Sequence, residues 1–253
     1  DGVADEAFWK DARKFETLDF LSQRTITLAT VHTDEEIFFL VVYPDVSPSV
    51  THRSFVWDTR LGIYKPSIDR EDMFVFKWSM VGPDVDLALR NGQPHEADIW
   101  FWKACRTNGV GYADDKRQSL STLPGEKAMK IESPGGGALY LTRRGDEGRS
   151  AYVEHIPDRH QGKYVRRFTS TTPLGSRADI RAKGKWSEGA WTIEFARKLN
   201  TGHDDDLAFE VGGSYSFIVN CYEISGGTID QAWTQPLYRI GDAFDRLKLE
   251  IAP

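Results

Sequence analysis

Short segments with strand-like patterning recur along most of the chain. Residues 24–31 alternate polar and apolar side chains, whereas residues 36–43 form a continuous apolar run rich in β-branched and aromatic residues. The first pattern is typical of a half-buried strand and the second of a fully buried one. Because a short polar stretch, residues 32–35, joins the two segments, they are predicted to form a β-hairpin.

Six further segments carry strand patterns, and turns that contain Gly, Pro or Asp separate several of them. The predicted strands cover residues 73–78, 97–102, 138–142, 190–196, 215–222 and 247–251, and the turns include residues 81–84, 133–137 and 202–206. Recurrent turns between short strands favour a sandwich or a barrel. The sequence lacks the alternation of strands with helical segments that is typical of a doubly wound sheet.

We therefore predict an all-β protein, an antiparallel β-sandwich with short helical insertions. Residues 5–15 have an apolar spacing that suits a short helix or turn. Residues 146–162 are the least patterned and are predicted to form a long surface excursion. Residues 1–253 are predicted to form a single domain, since β-sandwiches of this length commonly do.

Composition and charge narrow the functional classes. Hydrophobic residues make up 40% of the 253 residues, which is enough for a sizeable core. A net charge of −6 argues against a nucleic-acid partner, because phosphate binding needs concentrated positive charge. No apolar run reaches the roughly 20 residues that span a bilayer, so no transmembrane segment is expected.

The cysteines and the acidic groups leave alternatives open. Cys105 and Cys221 belong to no Cys-x-x-Cys motif, which argues against c-type haem attachment and a structural zinc site; they are either a disulfide or two buried thiols. Acidic groups at residues 71–72, 114–115 and 204–206 suit turns and also make calcium a candidate cofactor. No hydrolase, metalloprotease or nucleotide-binding motif is present, so we expect no catalytic residue.

A set of sequence blocks resembles a known family. The most specific is Asp-Ile-Trp-Phe-Trp-Lys-Ala at residues 98–104, followed by Gly-Tyr-Ala-Asp-Asp at residues 111–115. Further blocks follow the family order at residues 1–9, 36–45, 51–57, 71–78, 191–202 and 205–209. Together they cover nearly the whole chain and are similar to the haem-binding domain family of the ethylbenzene dehydrogenase gamma subunit.

This resemblance implies both a fold and a function. The family's fold is a β-sandwich of the DOMON type, shared with family-nine carbohydrate-binding modules. Its members hold b-type haem between loops and carry electrons in the periplasm without catalysing a reaction themselves. Their redox partner is a molybdenum oxidoreductase or a c-type cytochrome. The resemblance therefore implies haem b, a periplasmic location and an electron-transfer role for this chain.

The residues that clamp the haem iron in this family have no match here. The gamma subunits use a methionine before the Trp block and a lysine near the C-terminal strands, but residues 86–92 contain no Met and residues 224–233 contain no Lys or His. Phe101 stands where c-type relatives often have a histidine. Substitute axial ligands are predicted among the His and Met side chains, which iron accepts: Met80, His95 and His155. The predicted pocket lining is Trp100, Trp102, Lys103 and Arg106.

The tryptophans support an alternative function. Trp100 and Trp102 are two residues apart, so on a strand they share one face. That face is either the core of the sandwich or an exposed platform that stacks against sugar rings. The alternative is therefore a haem-free module that binds a carbohydrate or another small ligand. A third interpretation is a structural subunit that has lost its ligand.

Overall fold

The computed structural model describes residues 1–19, 22–87, 92–132, 137–222 and 247–253. In these ranges the chain forms one α-helix, α1 (Ala7–Asp11), and seventeen strands. The strands are β1 (Lys14–Asp19), β2 (Arg24–His32), β3 (Glu36–Pro44), β4 (Phe55–Asp58), β5 (Ile63–Pro66), β6 (Met73–Ser79), β7 (His95–Lys103), β8 (Asp114–Ser121), β9 (Met129–Glu132), β10 (Ala138–Gly145), β11 (Tyr152–Glu154), β12 (Tyr164–Val165), β13 (Phe168–Ser170), β14 (Arg181–Ser187), β15 (Ala190–Lys198), β16 (Ser214–Tyr222) and β17 (Leu247–Glu250). Each of the eight predicted strand segments coincides with one of them, and the all-β class is confirmed.

Two antiparallel sheets make up the sandwich. The first has the strand order β1-β2-β3-β15-β14, and the second has the order β17-β16-β6-β7-β8-β10-β9. The predicted hairpin is present as the β2–β3 pair, in which Thr27 lies opposite Val42. The connecting segments form two smaller sheets, β12-β4-β5 and β11-β13.

The core lies between the two large sheets. Alternation along β6 points Phe74, Phe76 and Trp78 to one face, and all three are fully buried. From the opposite sheet, the ring of Phe39 lies 5.0 Å from that of Phe76, and the ring of Phe195 lies 5.2 Å from it. Burial of one such side chain contributes on the order of 2 kcal/mol, so this aromatic layer strongly favours the contact between the sheets.

The central strands of the second sheet are also buried on their other side. β6 and β7 are buried at almost every position, because a second apolar cluster covers the side that points away from the core. This cluster, the outer apolar face, comprises Met73, Val75, Leu87, Ala97, Ile99, Phe101 and Ile218. Strands that are buried on both faces carry continuous apolar runs, which explains the pattern of residues 73–78 and 97–102.

Three local predictions need correction. The segment 5–15 is only partly helical, because α1 ends at Asp11 and β1 begins at Lys14. The acidic pair at residues 114–115 does not form a turn; it opens β8, where the Asp114 carboxylate is paired with cations. Asp146 is buried, although it opens the predicted surface excursion. Within that excursion β11 pairs with β13, whereas residues 153–156 are exposed.

Two further sequence expectations concern the cysteines and the segments beyond the described ranges. Cys105 and Cys221 are free thiols, so the alternative of two thiols is the one that the structure shows. Most of the predicted turn at residues 133–137 lies outside the described residues, as do residues 88–91 and 224–233, where the family's iron ligands find no match.

Candidate functional site

His95 opens β7 and is buried on the side of the sheet that carries the outer apolar face. Its Nδ1 lies 2.9 Å from the carbonyl oxygen of Gln93, and its Nε2 lies 3.1 Å from Nε2 of Gln118. Burial, reinforced by the Lys77 ammonium, lowers the pKa of His95 to about 3, so the ring is neutral. A neutral imidazole can bind a metal, but here both ring nitrogens are engaged in hydrogen bonds.

Met80 and His155, the other predicted axial ligands, do not converge with His95. The N–H of Met80 continues the β6–β7 ladder, so its side chain faces the opposite side of the sheet from His95. His155 is exposed and follows β11, whose Tyr152 hydroxyl contacts Nζ of Lys103 at the far end of β7. That end is roughly 26 Å from His95, at about 3.3 Å per strand residue. The structure therefore brings no two of the three together.

Trp100 and Trp102, predicted to line a pocket, lie in the sandwich core. Both are fully buried. The Trp102 ring lies 4.9 Å from that of Trp191, and the Trp100 ring lies 5.8 Å from that of Phe39. Neither indole offers a face to a sugar ring, so the alternative of a stacking platform on this pair does not match the structure.

Lys103 and Arg177 meet around a buried carboxylate at the end of β7. Lys103 is 2% exposed, and its Nζ lies 2.5 Å from Oδ2 of Asp114 and 3.1 Å from the Tyr152 hydroxyl. Lys116 and Arg177 also pair with the Asp114 carboxylate. We call these residues, Lys103, Asp114, Lys116, Tyr152 and Arg177, the outer ionic cluster.

Three cations surround the single carboxylate of the outer ionic cluster. Burial lowers the pKa of Lys103 to about 8, although Asp114 opposes this shift. Burial acts to raise the pKa of Asp114, but Lys103, Lys116 and Arg177 outweigh it and hold that pKa well below its usual range. The carboxylate is therefore ionised and fully paired. Such an arrangement holds the end of β7 in place and leaves no reactive group exposed.

Arg106, the fourth predicted pocket residue, belongs to an adjoining ion pair. Its guanidinium contacts Glu71, whose Oε2 also accepts the backbone N–H groups of Cys105 at 2.6 Å and Arg106 at 2.9 Å. The guanidinium carbon lies 5.2 Å from the centre of the Tyr152 ring. The structure thus gives Arg106 a bracing contact between the end of β7 and the start of β6.

Four carboxyl groups meet on the other side of β7 and β8. Asp98 of β7 and Asp115 of β8 face inward, and Asp206 reaches them from the loop that follows β15. One oxygen of each of these three residues lies within 4.8 Å of the others. Asp146 follows β10, and its carboxyl group lies beside that of Asp115. We call Asp98, Asp115, Asp146 and Asp206 the inner acidic cluster.

The carboxyl oxygens of the inner acidic cluster are largely unpaired. Nη1 of Arg197 donates to Oδ2 of Asp98 at 2.8 Å, and the backbone N–H of Leu207 donates to the same oxygen at 3.0 Å. The other seven oxygens have no hydrogen-bond partner within the described ranges: Oδ1 of Asp98 and both oxygens of Asp115, Asp146 and Asp206. Buried polar atoms without a partner are rare and costly.

The pKa values of the inner acidic cluster reflect this lack of hydrogen-bond donors and cations. Burial raises the pKa of Asp146 and that of Asp206 to about 7 each. For Asp115, burial and the neighbouring carboxylates of Asp98, Asp206 and Asp146 raise the pKa well above its usual range. A site of this kind favours any positive charge that can reach it, whether a proton or a metal ion.

A surface cavity of about 760 Å³ opens beside the inner acidic cluster. Asp146 is part of its wall, together with Glu147, His203 and Asp205. Asp205 is satisfied, because it accepts hydrogen bonds from Oγ of Ser176 at 2.8 Å and from the backbone N–H of Glu147 at 3.0 Å. Asp146 is not paired in this way, and it connects the cavity to the cluster.

The nitrogen and sulfur donors do not fit the iron clamp of the resembled family. The residues outside the described ranges include no His, Met, Cys or Lys, so every such side chain of the protein is in the described part. Of the donors near the end of β7, Met73 has its sulfur 3.8 Å from Nη2 of Arg106, and His52 has Nδ1 3.4 Å from Oε1 of Glu71 without a hydrogen bond in the described part of the chain. The predicted substitutes Met80, His95 and His155 are dispersed, as described above.

The architecture defines a β-sandwich with an aromatic core and two buried clusters of ionisable groups. The chain matches the family model described as ethylbenzene dehydrogenase over residues 6–233, and it belongs to that family. No curated protein matches the chain. Within the described ranges, none of the helices has the length and the apolar character needed to cross a bilayer.

Proposed function

We propose that this chain is a non-catalytic subunit or domain of an ethylbenzene-dehydrogenase-like oxidoreductase assembly, and that it works without the family's iron clamp. Family membership over residues 6–233 supports the first part of the proposal. The outer apolar face supports the second, because its side chains are buried against one another in the described part of the chain. We place the protein outside the cytoplasm, where the resembled gamma subunits work, with a molybdenum oxidoreductase or a c-type cytochrome as its partner.

The observation that carries the haem-free part is the state of the donors around the outer apolar face. Phe101 is 3% exposed and packs in this face at the position where c-type relatives often have a histidine. At one rim both ring nitrogens of His95 are engaged. Nearby, Nζ of Lys77 donates to the carbonyl oxygen of Leu87 at 2.5 Å. A haem at this face would have to displace apolar packing and break these hydrogen bonds.

An absorption spectrum tests the haem-free part directly. The full chain is purified from its native host with its partners, and it is measured before and after haem supplementation and dithionite reduction. We expect no Soret band from this chain once it has been separated from its partners. A Soret band that shifts on reduction would overturn this part of the proposal, and loss of that band in His95→Ala but not in the exposed-residue variant His155→Ala would then identify the ligand.

The partner half of the proposal needs a separate measurement. A tagged full-length chain is captured gently from the native host, and the eluate is analysed for molybdenum and for substrate-dependent dye reduction. Co-elution of the chain with both signals is the expected result. Elution of the chain without molybdenum and without dehydrogenase activity would contradict the subunit assignment, whatever the absorption spectrum shows.

A further inference from the structure

We propose that the inner acidic cluster is a calcium site, with Asp98, Asp115 and Asp206 as its ligands and Asp146 beside them. This inference is independent of the proposed function, because it concerns a different side of the β7–β8 pair. It starts from geometry. Oxygens of Asp98, Asp115 and Asp206 lie within 4.8 Å of one another. Calcium binds oxygens at about 2.3–2.6 Å, so one ion placed between these oxygens can contact all three.

The burial of the carboxyl groups and their lack of hydrogen-bond partners favour the binding of a cation. Asp98 and Asp115 are fully buried and Asp206 is 8% exposed, and neither oxygen of Asp115 has a hydrogen-bond partner in the described part of the chain. Asp115 points toward Asp98, Asp206 and Asp146, each of which opposes its ionisation. A buried charge is normally paired or bound to a metal. Arg197 donates to one oxygen of Asp98, and its Nη2 lies 4.0 Å from Oδ2 of Asp206.

The ligand chemistry selects the class of ion. All the free atoms are carboxylate oxygens, which favour hard cations such as calcium and magnesium. Magnesium keeps several of its waters in most protein sites, whereas calcium accepts six to eight oxygen ligands in a flexible arrangement. Asp98, Asp115 and Asp206 together have five carboxyl oxygens without a hydrogen bond in the described part of the chain, so this carboxylate-rich donor set suits calcium better. The nearby His203 is already paired, since its Nδ1 lies 2.6 Å from Oδ2 of Asp179.

The cavity beside the cluster supplies a route for the ion. Asp146 contributes both to the wall of this cavity and to the cluster. A bound ion would join β7 and β8 to the loop after β15. That loop contributes Leu207 and Phe209 to the packing of the core, so the ion would act as a structural tie rather than as a catalyst.

Thermal unfolding of the full chain tests the site. Protein that has been stripped with a chelator is titrated with calcium chloride and, separately, with magnesium chloride. Calcium is expected to raise the Tm by roughly 5 to 10 °C at a hundred-fold excess over the Kd, and magnesium is expected to have a much smaller effect. Asp115→Asn and Asp206→Asn should abolish the calcium response. In chelator both variants should be at least as stable as the wild type, because each removes a repelling charge.

A control variant and a second readout test whether the calcium response comes from the inner acidic cluster. Asp204→Asn changes an exposed carboxylate in the same turn as Asp206 and should keep the full calcium response. Terbium luminescence sensitised by tryptophan gives a second readout that does not depend on stability, since Trp100 lies opposite Asp115 in the β7–β8 register; calcium should displace the signal.

Three outcomes would overturn the proposal. The first is a folded wild-type protein whose Tm and terbium signal do not respond to calcium. The second is an equal response to magnesium. The third is an equal loss of the calcium response in Asp204→Asn, which would place the ion at the surface.

Discussion

Asp114 and Asp115 are neighbours in sequence, yet they have opposite surroundings. Asp114 points to the outer ionic cluster, where three cations surround one carboxylate and its pKa lies well below the usual range. Asp115 points to the inner acidic cluster, where burial and three further carboxyl groups raise its pKa. The strand period of two sends adjacent side chains to opposite faces. The lesson is that an acidic pair in sequence has no single chemical meaning until the sheet is known.

The comparison also shows two ways of burying charge. In the outer ionic cluster, attraction between opposite charges compensates the loss of solvation. The inner acidic cluster has Arg197 as its contacting cation, and seven of its oxygens lack a partner in the described residues. Desolvation of unpaired charge is costly. The first cluster should therefore stabilise its end of the sheet, and the second should need an added positive charge to do the same.

The largest expected effect comes from breaking the outer ionic cluster. Asp114→Ala leaves Lys103, Lys116 and Arg177 without their common anion, and removal of one partner from a buried ion pair costs about 3–5 kcal/mol. Urea unfolding followed by tryptophan fluorescence measures this loss. Asp115→Ala in chelator is the paired comparison and should not lower stability. Equal losses in the two variants would contradict the contrast between the clusters.

An intermediate effect is expected at another buried pair of carboxyl groups, Asp45 and Asp72. This pair tests whether the direction of a carboxyl group's pKa shift depends on its neighbours. Asp72 and Asp45 share the indole N–H of Trp191, at 2.9 Å and 3.0 Å respectively. Burial and the Asp45 charge raise the pKa of Asp72 to about 7, although the Ser49 N–H opposes this. In the unfolded chain an Asp has a pKa of about 3.9.

The pH dependence follows from these two pKa values. The folded state binds the Asp72 proton more tightly, so its contribution to stability is present below about pH 4 and is lost as the pH rises to about 7. Asp72→Asn should make the stability–pH curve flatter in this window, with about 1.4 kcal/mol for each pKa unit as the upper scale. Denaturant midpoints measured across the window test this. A curve as steep as that of the wild type would refute the assignment to Asp72.

The smallest effect is expected at the rim of the cavity. Arg117 pairs with Glu96 at 3.0 Å, but the two side chains are 43% and 33% exposed. Exposed ion pairs contribute about 0–1 kcal/mol, so Arg117→Ala should change the free energy of unfolding by less than about 1 kcal/mol. A loss comparable to that of Asp114→Ala would show that exposure does not separate the strong pairs from the weak ones in this protein.

The sequence predicts the central part of the fold well. Residues 36–43, 73–78 and 97–102 are rich in apolar and aromatic residues, and they form β3, β6 and β7 as predicted. The strand β8 was not predicted, because its sequence is mostly polar and lacks an apolar strand pattern. Its first side chain, Asp114, is buried by ion pairs with residues of other segments rather than by apolar packing. To recognise this strand from the sequence, one would need to know that Asp114 pairs with Lys103 and Arg177.

The site was harder to predict than the fold. Three of the blocks that carry the family resemblance, residues 98–104, 111–115 and 205–209, contain one ligand each of the proposed calcium site: Asp98, Asp115 and Asp206. Their convergence depends on the strand order and on the loop after β15, which no local pattern encodes. The predicted haem ligands Met80, His95 and His155 were chosen by residue type and by their place in the sequence, and the β6–β7 register places the first two on opposite faces.

The four carboxyl groups of the inner acidic cluster come from segments that are far apart in the chain, between residues 98 and 206. Contacts of this range are expected to form late in folding. Their mutual repulsion should then be nearly absent from the folding transition state and present in the native state. Variants such as Asp115→Asn are therefore expected to change the unfolding rate and to leave the folding rate nearly unaltered.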